Sequence, residues 1–141
     1  MVFKASQSTL CDVIAGVTTD TSAVGIGKFG ATCFGIRYSS AVDSNFMFCS
    51  KVGNSTWAAN DASNYSLSTG VAVDTNYHTF RMRSVTAGVV EMKLDAGAWT
   101  AVTMVSASGN FIPYFYVSSR TSATKAMLVD YFSCVQTGVS R

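Results

Sequence analysis

The chain has 141 residues, 13% of them charged and 48% hydrophobic, with ten Lys and Arg against eight Asp and Glu. That length buries one core without disulfide staples, and nine Phe, six Tyr and two Trp rule out wholesale disorder. The formal charge of +2 is spread along the sequence, so no basic block exists to track nucleic acid, and no run approaches the ~20 apolar residues of a membrane helix.

Helical periodicity is scarce. Short runs of alternating apolar and polar residues, divided by Gly, Ser, Thr, Asn and Asp clusters, predict strands over 2–5, 10–17, 32–39, 45–51, 54–59, 65–73, 78–85, 88–95, 98–104, 111–118 and 125–135. Val, Thr, Phe and Tyr fill these runs, as a pleated, half-buried surface requires. So many short strands imply an all-β sandwich or barrel. Neither an internal repeat nor a linker divides the chain, so residues 1–141 read as a single domain. Met1 to Ser6 show neither the basic head nor the apolar run of a secretory leader, and synthesis in a cytosol is expected.

Parity specifies two hairpins. Phe34, Ile36 and Tyr38 share one face of the third run, and Phe46 and Phe48 share one face of the fourth. Pairing Tyr38 with Phe46 and Ile36 with Phe48 gathers all five on one side, and a slip of one residue would put aromatics in water. The other side then carries Cys33, Gly35, Arg37, Met47, Cys49 and Lys51, with Cys33 and Cys49 as diagonal neighbours in poor geometry for a disulfide. In the second hairpin Met82 faces Met92 and Phe80 faces Leu94, while Arg83 meets Glu91 and Thr79 meets Asp95 on a polar face. An exposed Arg83–Glu91 pair contributes less than about 1 kcal/mol, so it sets register more than stability.

Asp95-Ala96-Gly97 supplies a turn into Trp99 and Val102. Pro113 has no N–H for a ladder, so the run around it belongs at a sheet edge or a bulge. Met127 to Phe132 is apolar on both parities apart from Asp130, the pattern of a strand covered on both faces.

Four cysteines, at 11, 33, 49 and 134, contain no CxxC pair and so no zinc-site spacing. They read as small apolar strand residues; a Cys11–Cys134 bridge stays open if the terminal strands are neighbours. His78 is the sole histidine, and the spacing around it offers no partners for a triad or a metal site. Asp74 before Thr75-Asn76 reads as an Asx turn. Arg37, Lys51 and Trp57 fall around the sheet face opposite the aromatic core and form the candidate ligand-binding set, for a sugar or a partner loop. The competing reading packs Trp57 in the core and leaves the cations solvated. Met47 and the two thiols on that face call for a cover, either a short terminal strand or a neighbouring subunit.

Three stretches taken together carry a resemblance: Thr69-Gly70-Val71-Ala72-Val73-Asp74-Thr75-Asn76-Tyr77-His78-Thr79-Phe80-Arg81-Met82, then Gly88 through Gly97, then Ala126-Met127-Leu128-Val129-Asp130-Tyr131-Phe132. This pattern resembles the concanavalin A-like jelly-roll domains of tailed-bacteriophage structural proteins, over residues 10 to 135. The resemblance implies an antiparallel two-sheet jelly-roll β-sandwich. Its implied role is a non-enzymatic virion module (head decoration, fibre or tail appendage) that contacts other virion proteins or copies of itself, with no cofactor and no metal. The alternative it carries is a carbohydrate-binding module that recognises a host surface glycan. Two departures stand out: the first strands look short, which would leave a sheet edge open, and the Asp-Gly of the hairpin is Asp95-Ala96-Gly97 here. Related glucanases set their acids as E-x-D-x-x-E on one strand face; the nearest approach is Glu91-x-Lys93-x-Asp95, with lysine in the middle and no terminal glutamate. Glycoside hydrolysis needs two carboxylates roughly 5–9 Å apart across the bond, and a hydrolase is not expected.

Overall fold

A computed structural model describes residues 1–6, 11–18, 33–51, 64–86, 89–103, 112–119, 122 and 124–133. Among these residues ten strands are formed: β1 (Val2–Ala5), β2 (Cys11–Thr18), β3 (Cys33–Ser39), β4 (Asn45–Lys51), β5 (Asn64–Ala72), β6 (His78–Thr86), β7 (Val89–Leu94), β8 (Thr100–Thr103), β9 (Ile112–Ser119) and β10 (Met127–Tyr131). They build two five-stranded sheets, ordered β10-β1-β6-β7-β8 and β5-β4-β3-β2-β9, in which every pairing is antiparallel. No helix occurs among the described residues, and the chain is an all-β sandwich. Each strand matches a predicted run to within a few residues. The run at 54–59 lies outside the described residues, as do Cys134 and the side chain of Cys11, and with them the proposed bridge.

Strands β2 to β5 and β6 to β8 pair in chain order and make most of the two sheets; the β3–β4, β6–β7 and β7–β8 connections are the short ones. The registers are those that parity dictates. Ile36 lies opposite Phe48 and Arg37 opposite Met47; Phe80 lies opposite Leu94, Met82 opposite Met92 and Arg83 opposite Glu91. The inward residues of both sheets meet in one cluster that includes Phe34, Ile36, Phe48, Phe80, Met92 and Leu94, with Met82 packed against it. Aromatic edges join the layers: Phe3 meets Phe46 at 5.7 Å between ring centres and 82° between planes. Each such side chain removed from water stabilises the fold by about 1.5–3 kcal/mol.

At one point the second sheet leaves no room for a side chain. Gly16 faces Gly35 across β2 and β3, and a Cβ on Gly35 would fall 2.3 Å from the carbonyl oxygen of Ala15. Only glycine permits that approach of two backbones.

Pro113 lies on β9, which is an edge strand, as its missing N–H requires. Two expectations need correction. The first strand is short, at four residues, yet it leaves no open edge, because β1 is held between β10 and β6. The last run is not covered on both faces: β10 is the sheet edge, and its residues from Leu128 to Tyr131 are all exposed.

Candidate functional site: the β9–β10 flank

Of the three residues that the sequence assigns to a ligand site, Arg37 is the one whose side chain is described. It lies on the β3 face away from the aromatic core, as parity places it, but it is buried. Its Nη1 donates to Asp43 Oδ2 at 2.8 Å, while Nε and Nη2 donate to Ser66 Oγ at 3.3 and 3.1 Å. Asp43 Oδ2 also accepts the backbone N–H of Ser39 at 2.8 Å, so one carboxylate ties the end of β3 to its turn. The guanidinium is therefore engaged inside the chain. The side chain of Lys51 and all of Trp57 lie outside the described residues. On the same face Cys33 and Cys49 are buried free thiols, Met47 is half-buried, and Ile14 and Cys33 are packed by Tyr114 and Tyr116. Burial, with Cys33 beside it, pushes the Cys49 thiol well above its ordinary pKa, and its Sγ donates to the carbonyl of Gly35 at 3.3 Å.

The acids of the second hairpin are engaged as well. Glu91 accepts from Arg83 at 2.8 Å, and that guanidinium lies 4.2 Å from the centre of the Trp99 ring. Asp95 has a φ of 52°, a conformation that Asp tolerates, in the turn closed by Gly97 N–H to Leu94 C=O. From there Asp95 Oδ1 accepts Thr79 N–H at 2.7 Å and Oδ2 meets His78 Nδ1 at 2.8 Å. His78 Nε2 meets Asp74 Oδ1 at 3.0 Å, and Asp74 accepts Asn76 N–H at 2.6 Å in the expected Asx turn. The imidazole is buried between Phe3 and Phe46. Burial alone would lower its pKa, but the hydrogen bonds and charges of Asp95 and Asp74 outweigh that, and the net shift is upward. This is a hydrogen-bonded staple between the start of β6 and the turn after β7, and both carboxylates are engaged by it.

The feature left without a partner is the flank where β9 and β10 lie together, each the edge of its own sheet. Phe115 and Phe132 close the gap between the sheets, edge to face at 5.7 Å and 88°. Around them Leu128 is 46%, Val129 38% and Tyr131 59% exposed. A register shift between Val2 and Phe3 sets Tyr131 opposite Val2 and Val129 opposite Phe3. Edge strands are normally blunted by charge, proline or a cover. β9 has Pro113, whereas β10 has one charge, Asp130, and a row of large apolar side chains. Sequence reading found these residues but not their exposure, since a run apolar on both parities fits two neighbouring sheets as well as an uncovered contact surface.

Comparisons of the chain with protein-family models, curated proteins and solved structures return no match.

Proposed function

We propose that this chain is a non-enzymatic structural module of a bacteriophage virion, with a concanavalin A-like jelly-roll arrangement, acting through protein–protein contacts with other virion proteins or copies of itself. The observation that carries the reading is β10, an edge strand with Leu128, Val129 and Tyr131 exposed, beside Phe115 and Phe132. Contiguous exposed apolar side chains on a free edge mark a surface that is covered in the working assembly. The motif resemblance at 69–82, 88–97 and 126–132 supplies the kind of assembly, and β1 lying beside β10 suits a jelly roll.

The alternative, glycan recognition through Arg37, Lys51 and Trp57, is weaker because the Arg37 guanidinium is committed to Asp43 and Ser66. Light scattering of the purified chain, with and without particles, tests the main reading. The expected result is self-association or particle binding, abolished by Leu128→Lys combined with Tyr131→Ser with the circular dichroism unchanged. A monodisperse monomer with no affinity for particles overturns it. A glycan array that gives binding lost in Trp57→Ala would transfer the function to the alternative.

A further inference from the structure

A half-open pocket of about 380 Å³ lies beside β6, with Gly16 and Val17 of β2 contributed by the opposite sheet. Phe80, Met82, Trp99 and Phe132 give it apolar walls, and Arg81 lines it as the one charged side chain. The volume is at the lower end for small-ligand sites, which are mostly apolar with a few placed polar groups.

The electrostatics of the adjoining strand pair are unusual. Arg81 lies directly opposite Lys93 across β6 and β7, and like charges in that position destabilise a sheet. No carboxylate is paired with either cation among the described residues. The two acids of the same face are engaged: Glu91 by Arg83, and Asp95 by His78 and the Thr79 N–H. Arg83 is itself occupied with Glu91 and stacked on Trp99, which fixes the indole at the pocket. The face thus holds two adjacent cations without a salt bridge among the described residues, one of them lining an apolar cavity.

We propose that this pocket binds a small amphipathic anion, its apolar body seated against Val17, Phe80, Met82 and Phe132 and its anionic head held by Arg81 with Lys93 beside it. The body is fixed by exclusion of water from an apolar hollow. The head relieves the repulsion between Arg81 and Lys93 and supplies the guanidinium with a charge-assisted hydrogen bond. The site goes beyond the contact role of the β9–β10 flank, and it is read separately from association.

Three probes share one apolar body and differ in the head: octanoate, 1-octanol and octylammonium, each kept below its aggregation limit. Binding is followed on the methionine methyl resonances of the isotopically labelled chain, since Met1 and Met82 line the pocket and Met92 does not. Octanoate is expected to shift Met1 and Met82 saturably and to leave Met92 in place, with octylammonium giving no saturable shift. Arg81→Gln and Lys93→Gln should each weaken octanoate about fivefold or more while leaving octanol unchanged. An unchanged circular dichroism spectrum verifies that each variant is folded. Equal affinity for all three heads, unchanged octanoate binding in Arg81→Gln, or no saturable shift at Met82 would overturn the proposal. Phe132 is shared with the β9–β10 flank, so the titrations are repeated on the Leu128→Lys, Tyr131→Ser chain, in which association is removed and the two readings fail separately.

Discussion

Strands β3 and β7 each occupy the interior of a sheet and each place a large apolar residue at every second position, yet their surroundings differ. Every residue of β3 is buried, whereas β7 alternates between buried and half-exposed. Their inner faces are equivalent, with Phe34, Ile36 and Tyr38 on one strand and Val90, Met92 and Leu94 on the other. The distinction lies in the outer faces. β7 presents Glu91 and Lys93, which stay hydrated, while β3 presents Cys33 and Gly35, which need no water, and Arg37, whose charge is met by Asp43. A strand can thus be buried on its second side when that side is small or internally neutralised. Net apolar content does not decide it.

The largest expected effect breaks the outer face of β3. Arg37→Ala removes the guanidinium from Asp43, whose side chain is only 5% exposed, and a loss of about 3–5 kcal/mol is expected in urea unfolding. The inner faces should respond alike: Met92→Ala in β7 and Ile36→Ala in β3 each cost about 2–5 kcal/mol, because both side chains lie in the shared core. A marked inequality between those two would mean that the two sheets do not share one core.

The His78 staple gives a pH dependence of intermediate size. Its pKa is raised in the fold, so its stabilisation is complete below the ordinary histidine value of about 6.5 and is lost as pH rises through the elevated value. The backbone N–H of Asn76, foremost, holds the Asp74 carboxyl below its ordinary value, so that contribution is present above about pH 4 and lost on acidification. Thermal midpoints taken across the alkaline range should fall for the wild type and flatten for His78→Gln. Equal slopes would remove the staple from the account. The smallest effect belongs to the outer face of β7: Glu91→Ala, which breaks a pair with an exposed Arg83, costs less than about 1 kcal/mol. A Glu91→Ala loss matching that of Arg37→Ala would erase the distinction between the two strands.

Where period-two alternation is strong and one face is polar, the sequence is enough to place strand and register. Met82 against Met92 and Ile36 against Phe48 follow from parity and the pairing of large residues, since a slip of one residue exposes aromatics. Contacts through turns were not visible in this way. Asp43 meets Arg37 from a loop six residues on, and Asp95 reaches His78 across 17 residues because the turn after β7 folds back beside the start of β6. No spacing rule encodes either. The Arg81–Lys93 opposition was implicit in the predicted register, but its meaning depended on knowing that Glu91 and Asp95 are occupied elsewhere. The exposure of β10 required the strand order itself, which alternation does not specify.

The sulfur of Cys49 has a practical use that follows from its position. Alkylating reagents attack the thiolate, and this thiol is held protonated beneath the sheet with its hydrogen directed at Gly35. Its modification rate therefore counts how often β3 and β4 part, so the native chain carries its own clock for local opening, readable by mass spectrometry without any engineered label.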